Sequence, residues 1–519
     1  MNNHFVKRAV QMAAVVLSPL AFTPAHAATN AVTSLNDDGG SGTLRQILAN
    51  ASDGDTIVFT TDGAIALTNG ELDITNSLII AGPGATNLAI GGNTGNRVFN
   101  IASANAVVAI SDVTICDGEA PAGSDGGGIY NEGFLTLNRC LLTNNSAGAG
   151  VEGGTVFGDG VVGGTGGTGG SGGGVYNTGS LTLTSCTFAG NTAGPGGMGG
   201  DGLYWTGGTG GTGGLGGGVY SSGSLTLTSC TLASNTAGLG GSGGYGHTGE
   251  YWGTGGQGGD GGDGGGIFSS GGLTLVSCTL AFNTAGAAGA AGYGDTYPGS
   301  PGSSGTNGGV CATADASVVF AQNSLFALNI ATNGSSPDLS GTFTSMGHNL
   351  VRIIDGCSGL TNAVNDDLVG GSGCPLEPCL GPLADNGGPT PTIAPLSGSP
   401  LIDAGDDSLE GGTDQRGYPR LSGAHVDIGA VEVQFNAANA NPLLLIPAWS
   451  GGTGGGAFQI AFTNAACADF TMLTTTNLAL PLANWTVLGN IPEISSGQYQ
   501  FTDSSTTNSP QRFYQVVTP

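Results

Sequence analysis

The sequence predicts an all-β protein: a right-handed parallel β-helix with glycine-rich loop insertions, followed by a small C-terminal β-sandwich-like domain. The main observation is a 23-residue unit that occurs four times, beginning at Gly126, Gly172, Gly216 and Gly264. Each copy contains short runs of alternating apolar and polar residues, and a glycine tract introduces each copy. A fixed period of short β segments is typical of a solenoid, in which each unit buries its apolar face against the next.

The first 27 residues have the pattern of an export signal. Lys7 and Arg8 form a basic start, residues 9–22 form an apolar run, and Ala25-His26-Ala27 supplies a cleavage sequence. The run is short for a transmembrane helix, and no other stretch is long and apolar enough. We therefore expect an exported bacterial protein, extracellular or at the cell surface or outer membrane, with no integral membrane span in the mature chain.

The charge of the chain restricts its partners. Removal of residues 1–27 takes away two basic residues and no acid, so the formal charge moves from −27 to −29. Seven arginines and no lysine then stand against 36 acidic residues. This balance excludes nucleic acid as a partner and disfavours acidic polysaccharides and anionic lipids. We expect the charge to keep a long β-surface soluble, with cation uptake as the alternative.

Residues 28–125 are predicted to form an N-terminal cap and the first coils of the β-helix. Short runs of β-type residues alternate with turns here, at 56–59, 77–80, 97–101 and 107–110. Residues 42–50 form the one predicted helix. We expect this helix to cap the open end, because an exposed terminal coil would pair with further strands.

Residues 126–340 are predicted as the repeat region, and the alternation within each copy locates its corners. In the second copy Leu181 and Leu183 share one face. Cys186 and Phe188 also share a face, but only after the alternation has slipped at residues 184–185. A slip in a two-residue period indicates a bend from one sheet into the next.

Stacking of the coils places equivalent residues of successive copies in columns about 4.8 Å apart. One column is predicted as a ladder of side-chain amides: Asn145, Asn191, Asn235 and Asn283. A second is predicted as buried free thiols, because stacked in-register cysteines do not meet disulfide geometry: Cys140, Cys186, Cys230 and Cys278. A third is aromatic and fits either internal packing or a sugar platform: Tyr130, Tyr176, Tyr220 and Phe268.

The glycine tracts fill the rest of each period. Successive cysteines of the second column are 44 to 48 residues apart, and much of the difference from 23 residues is G-G-x sequence, as in residues 163–170. Three residues per turn is the period of a polyproline-II-type helix, and glycine lets such helices pack closely. Two interpretations stay open: the four tracts leave the coil at one corner and stack as a glycine-rich layer, or they are four flexible loops.

Few residues suggest chemistry, and we predict no catalytic, cofactor-binding or metal-binding residue. Residues 196–204 match a calcium-binding nonapeptide, with a partial copy at 255–260, so Ca²⁺ is an alternative. Three histidines lie in the mature chain, outside any catalytic motif: His247, His348 and His425. Two aspartate pairs fit a glycosidase-type mechanism or, more simply, turns: Asp366-Asp367 and Asp406-Asp407.

Two resemblances extend this interpretation. The G-G-G-[IV]-[YF] starts and [FL]-x-x-N ends within residues 126–329 resemble the repeats of chlamydial polymorphic outer membrane proteins, although the third residue is glycine rather than alanine. Motifs between residues 345 and 432 resemble the "choice-of-anchor Q" domain: SMGHNL, GPLADNGGPT, SPLIDAG, DQRG and VDIGAVE. The first resemblance implies a surface-displayed parallel β-helix. The second implies the end of the solenoid and an exported destination, with no known activity.

Residues 341–434 are therefore predicted as closing coils. They hold the densest charge cluster, which we predict to be a structural salt-bridge network closing the last coil, with a binding site as the alternative: Asp414, Arg416, Arg420, Asp427 and Glu432. A disulfide among Cys357, Cys374 and Cys379 is expected in an exported protein, and the sequence does not choose the pair.

Residues 435–456 are predicted as a linker and 457–519 as a small β-domain with strands at 477–489 and 511–516. This domain resembles C-terminal modules on secreted proteins of verrucomicrobia-like bacteria, which implies sorting or attachment. We expect a non-enzymatic exported scaffold that acts in adhesion or extracellular matrix, with surface glycans or other cell-surface proteins as partners. The alternatives are a carbohydrate-active or polysaccharide-binding β-helix protein and a calcium-responsive module.

Overall fold

A computed structural model describes residues 27–434 except 159, 248–252, 314–317 and 333–337. Further along it describes residues 446–450, 457–463, 470–477, 480, 484–495, 498–503 and 512–517. The predicted export signal, apart from residue 27, lies outside the described residues, as does most of the predicted linker.

Three parallel sheets form a β-helix, and most coils contribute one strand to each sheet. Strands are numbered in chain order. Sheet 1 contains β4 Leu72–Asp73, β7 Phe99–Ile101, β10 Ile129–Asn131, β13 Val175–Asn177, β16 Val219–Ser221, β19 Ile267–Ser269, β22 Val310–Ala312, β25 Leu339–Thr342 and β28 Cys357–Ser358. The predicted all-β parallel β-helix is confirmed.

The other two sheets have ten strands each. Sheet 2 contains β1 Thr29–Val32, β2 Asp55–Phe59, β5 Leu78–Ala81, β8 Val107–Ser111, β11 Phe134–Asn138, β14 Ser180–Thr184, β17 Ser224–Thr228, β20 Leu273–Val276, β23 Val319–Gln322 and β26 Thr344–Gly347. Sheet 3 contains β3 Gly63–Ala66, β6 Leu88–Gly91, β9 Thr114–Cys116, β12 Leu141–Thr143, β15 Thr187–Ala189, β18 Thr231–Ala233, β21 Thr279–Ala281, β24 Leu325–Ala327, β27 Leu350–Val351 and β29 Leu368–Val369.

The N-terminal end is capped by the one α-helix among the described residues, α1 Leu44–Asn50. Thr43 begins it, because the Thr43 side chain accepts a hydrogen bond from the Gln46 backbone N–H. Leu44, Ile47 and Leu48 are buried and join the core of the β-helix. The predicted capping helix is confirmed, with its first turn two residues later than expected.

The corners lie where the alternation slips. Ser185 has a φ of 52°, in the left-handed region, and equivalent residues of the neighbouring coils share this conformation. One left-handed residue turns the strand from sheet 2 into sheet 3, so Leu183 and Cys186 both point into the core, where both are fully buried. The narrow interior then forms one continuous apolar cluster along the β-helix.

The predicted asparagine ladder is confirmed and is longer than expected. The Asn145 side-chain amide donates to Asn191 at 2.9 Å, and the ladder continues through Asn235 and Asn283. It then extends to Asn329 and ends on the carboxylate of Asp338, each at 3.0 Å. The cysteine column is also confirmed as buried free thiols.

The glycine tracts form an ordered layer, which excludes the flexible-loop interpretation for the described residues. Each tract runs outward and back as two antiparallel limbs, and we call the eight limbs the glycine bundle. The outgoing limbs are 148–154, 194–202, 238–246 and 286–294, and the returning limbs are 163–170, 206–214, 254–262 and 299–305. Backbone hydrogen bonds connect each limb to its own partner limb and to limbs of neighbouring coils.

The first closing residues form coils that contribute β26 to β29 to the three sheets, whereas the later ones take a different course from the predicted one. Two antiparallel strands, β30 Leu380–Ala384 and β31 Thr392–Pro395, and the 3₁₀ turn Asp407–Leu409 belong to a segment that lies along the outer face of sheet 3. Ile393 packs against Ala233 and Ala281, which belong to adjacent coils, and Leu401 and Ile428 pack against Leu325. The segment covers the side of the β-helix rather than only its end, because the outer face of sheet 3 is apolar here.

The predicted charge cluster belongs to this lateral cover. Arg416 and Asp414 form an ion pair of 2.7 Å, whereas the buried Arg420 donates to the Gly429 carbonyl. Glu432 accepts hydrogen bonds from backbone amides. The network is therefore only partly ionic, and it does not close the last coil: its neighbour Gln415 bonds to Thr187 and Thr231 on sheet 3.

No disulfide forms in the closing residues. Cys357 and Cys374 are free thiols, so neither pairs with the other or with Cys379. The expected bridge is wrong.

The C-terminal residues form two small antiparallel sheets that share one apolar core. The strands are β32 Ile446–Ser450, β33 Ala457–Thr463, β36 Glu493–Ser495 and β37 Gln498–Asp503 in one sheet, and β34 Thr471–Thr475, β35 Thr486–Asn490 and β38 Phe513–Val517 in the other. The sandwich-like domain is confirmed. It begins within the predicted linker, because β32 pairs with β33, and the predicted strand 477–489 is reduced to β35.

Candidate functional site

The glycine bundle holds its shape mainly through backbone contacts. A zigzag of N–H···O bonds passes from Gly289 through Gly259, Gly241, Gly211 and Gly197, each at 2.8 Å. A Cβ atom added at any of these last four glycines would overlap a backbone carbonyl oxygen of a neighbouring limb. Only glycine permits this spacing. The bundle is therefore a rigid projection on which the third residue of each G-G-x triplet carries the side chain.

The two outer faces of the bundle differ in chemistry. The returning limbs expose small polar residues in register: Thr165, Thr168, Thr209, Thr212, Gln257, Asp260, Ser300 and Ser303. The outgoing limbs expose mostly apolar ones, including Met198, Leu239 and Ala290. The bundle thus presents one hydroxyl-rich face and one more apolar face.

The outer ends of the limbs and the turns between them form an aromatic rim, which we define as Phe157, Tyr204, Trp205, Tyr245, Tyr293 and Tyr297. All six side chains are exposed, Phe157 at 74%. The turns are neighbours: the Leu203 amide donates to the Val156 carbonyl, and Thr254 donates to Trp205. The Tyr245 and Tyr293 rings lie 5.5 Å apart at 45°, so their faces are not stacked on each other. Exposed aromatic clusters of this kind mark interaction surfaces.

The aromatic column on sheet 1 is different. Tyr130, Tyr176, Tyr220 and Phe268 pair in register, as predicted, and their rings stack nearly parallel with centroids 4.8–5.5 Å apart. Each inner ring therefore has both faces covered by its neighbours, and Arg97 covers the outer face of Tyr130. Because a sugar needs an exposed ring face, the column serves packing.

The second site is an open cleft of about 590 Å³ beside the last coils. It joins both predicted aspartate pairs and two of the three histidines. We call it the acidic cleft, and its polar lining is His348, Asp366, Asp367, Asp403, Asp406, Asp407 and His425. These residues come from two separate stretches, 348–368 and 403–425, which the lateral cover brings together.

Both cleft histidines are held in the same way. The Nδ1 of His348 lies 3.0 Å from the Ala404 carbonyl oxygen, and the Nδ1 of His425 lies 2.8 Å from Asp407. Because a carbonyl only accepts, His348 Nδ1 carries the proton. Asp407 accepts a hydrogen bond from this imidazole, and that bond and the charge of the carboxylate raise the pKa of His425 above its usual value. His247, the third histidine, is remote in sequence and pairs with Asp295 beside the rim.

The cleft carboxylates are mostly engaged. Asp403 accepts hydrogen bonds from the amides of Ala424 and His425, and Asp406 accepts from Gln322 and Ser408. Burial favours a raised pKa for Asp406, but these hydrogen bonds outweigh it and lower the pKa below the usual value. The cleft wall is therefore fixed in shape and carries negative charge at neutral pH.

The predicted calcium motif has another role. Residues 196–202 lie in an outgoing limb of the glycine bundle, and the Asp201 carboxylate accepts a hydrogen bond from the Tyr245 amide at 2.9 Å. Asp260 of the partial copy similarly accepts from Ser303. In the part of the chain that the structure describes, no three His, Cys, Asp or Glu side chains are placed to hold a metal ion.

Sequence reasoning missed the rim, the assembled cleft and a second ladder. The Asn131 side chain bonds to Asn177 at 2.7 Å, and Asn177 bonds to Ser221 at 2.9 Å. The signal was a polar residue immediately after each aromatic of the column. The signal for the cleft was weaker: two of the only three histidines in the mature chain lie in the closing residues.

No model of a known protein family matches the sequence, and no curated protein matches it. The resemblances to polymorphic outer membrane proteins and to the choice-of-anchor Q domain therefore stay predictions. Among the described residues, no helix is long and apolar enough to span a membrane.

Proposed function

We propose that the protein is an exported, non-enzymatic β-helix scaffold that acts in adhesion or extracellular matrix and contacts surface glycans through its aromatic rim. The single observation that carries the proposal is the rim itself. Six exposed aromatic side chains lie on the limb ends and turns that a rigid glycine bundle fixes in position. A pre-organised aromatic surface loses little conformational entropy on binding.

The charge and the shape of the chain support this proposal. A formal charge of −27 keeps anionic partners away, so neutral glycans and protein surfaces are the matching ligands. The rim extends across all four glycine tracts, so it offers several contacts to one extended polymer. Repeated weak contacts add up to strong attachment when the ligand spans them.

The test is binding of the mature chain, residues 28–519, to a panel of neutral polysaccharides. Replacing Trp205, Tyr245 and Tyr293 together by alanine removes the middle of the rim. We expect at least a tenfold loss of affinity, because stacking of an aromatic ring on a ligand contributes about 0.5–1.5 kcal/mol each.

Phe134→Ser is the matched control. Phe134 is an exposed aromatic residue on sheet 2, and the paired positions in the next two coils are Ser180 and Ser224. This variant should bind like the parent. Equal binding by the rim variant would contradict the proposal, and depolymerisation of any polysaccharide would instead favour the alternative, a carbohydrate-active enzyme.

A further inference from the structure

A buried carboxylate in the acidic cleft has an acceptor oxygen to which no group among the described residues donates. Asp367 is 1% exposed and belongs to the cleft lining. Its Oδ1 accepts hydrogen bonds from both the backbone and the side-chain amide of Asn349, at 2.9 and 3.0 Å. Its Oδ2 is buried and receives no hydrogen bond. A buried acceptor left without a donor is unfavourable, and more so when it is charged.

A second aspartate of the same chain shows what the complete arrangement looks like. Asp338 also takes the backbone and side-chain amides of one asparagine, Asn329, on its Oδ1. Its Oδ2 then accepts a hydrogen bond from the Ile353 amide at 2.9 Å. The two aspartates therefore differ in one respect: the protein supplies a donor to Asp338 Oδ2, whereas Asp367 lines an open cleft.

The charged residues around Asp367 determine the charge that a ligand must carry to supply the missing hydrogen-bond donor. Asp366, Asp403, Asp406 and Asp407 share the cleft, and neither lysine nor arginine lines it. An anion is excluded by this field. The Asp366 side chain is 80% exposed and lies 3.7 Å from the His348 Nε2, so it remains accessible to a ligand.

We propose that the acidic cleft binds a small primary-amine cation, with Asp367 Oδ2 as the buried acceptor and Asp366 as the accessible counter-charge. An ammonium group is a compact cation with three donors, so it satisfies the orphaned oxygen and offsets the surrounding charge together. A metal ion matches the charge but needs at least three converging ligands, which the described residues do not provide. The volume of about 590 Å³ suits a small ligand.

Two sources carry this chemistry: a free diamine and an amino sugar. Calorimetric titration of the mature chain with putrescine and with glucosamine distinguishes them, and N-acetylglucosamine serves as the uncharged control. We expect saturable 1:1 binding of at least one amine, weakened by added salt, and none of N-acetylglucosamine.

The variants localise the ligand. Asp367→Asn keeps an oxygen for Asn349 and removes the charge, and we expect at least a tenfold loss of amine affinity. Asp366→Asn should give a smaller loss of several-fold. Glu410→Gln, an exposed acid of the same cover outside the cleft lining, should bind like the parent.

A footprint on the unaltered chain keeps the test independent of variant folding. Diethylpyrocarbonate modifies histidines, and a bound amine should slow its reaction at His348 and His425 but not at His247, which lies beside the rim and pairs with Asp295. Absence of saturable amine binding, undiminished binding by Asp367→Asn with no footprint, or binding of Ca²⁺ in place of amines would overturn the proposal.

Discussion

The β-helix and the glycine bundle stack with the same period but are held together by opposite means. In the β-helix, Leu183, Cys186 and Phe188 fill an apolar interior, so side chains provide the stability. The bundle has no such apolar interior: glycine backbones lie directly against one another and hydrogen-bond, and only a few side chains, such as Asp201, bond between limbs. One repeat therefore combines two constraints: the core selects the shape of a side chain, and the bundle selects its absence.

The last glycine tract shows how strict the second constraint is. Gly210 and Gly258 would each place a Cβ against a carbonyl oxygen of the following coil. Pro301 occupies the position equivalent to Gly258 in the last tract. This register follows from the Gly258 amide, which donates to the carbonyl of Ser300, the residue before Pro301. No following tract packs there, and a side chain is accommodated. Glycine content therefore follows the number of packed neighbours.

The largest expected effect is in the core. Phe188→Ala removes a fully buried ring from the middle of the β-helix, and we expect a loss of about 3–5 kcal/mol in the free energy of unfolding. Denaturant titration measures it. Phe134→Ser, on the exposed face of sheet 2, should cost less than about 1 kcal/mol. Equal effects of the two variants would contradict a side-chain-stabilised core.

The dependence of stability on pH should be set by buried carboxylates in the β-helix and in its lateral cover. Burial raises the pKa of Asp338 and Asp427 to about 6 and that of Glu432 to about 7. The folded state therefore binds these protons more tightly than the unfolded state, and their contribution is complete below pH 4 and lost as the pH rises through 6 to 7.

For Asp338, the rise from 3.8 to about 6 corresponds to about 3 kcal/mol. We expect a lower melting temperature at pH 7.5 than at pH 4.5, and Asp338→Asn should reduce the difference. A melting temperature that increases over this range would show that the buried carboxylates are not in the environment described.

A smaller effect on the free energy of unfolding should distinguish the limbs that have a following tract packed on them from the limbs of the last tract. Gly258→Ala introduces a Cβ that overlaps the Gly289 carbonyl, and we expect a loss of about 1–3 kcal/mol. Pro301→Ala places the same residue at the equivalent outer position and should cost at most about 1 kcal/mol. Limited proteolysis of the tracts compares the two variants, and identical cleavage rates would contradict close packing of the bundle.

Much of the fold could be predicted because it repeats. The asparagine and cysteine columns, the corner at Ser185 and the capping helix each depend on local spacing, which a stacked coil converts directly into contacts. The second ladder was hidden because Ser221 replaces asparagine in the third copy. The choice between layer and loops was open, because a glycine tract has no side chains to show what it packs against.

The cleft and the lateral cover could not be predicted in the same way. His348 and Asp403 meet only because residues 376–434 fold back along sheet 3, and no period marks that contact. The outer face of sheet 3 gave a partial signal: its threonines and alanines, such as Thr231 and Ala233, are small enough to be covered. The lateral cover was expected to close the end of the β-helix, and it instead covers an apolar side.

Hydrogen exchange at the glycine amides shows whether the glycine tracts form a packed bundle. Amide protons of Gly197, Gly211, Gly241 and Gly259, each bonded to a neighbouring limb at 2.8 Å, should exchange slowly, at rates comparable with those of β14 and β17. Exchange of these amides at the rate of an unstructured chain, while the strands stay protected, would show that the tracts are loops and that no glycine bundle exists.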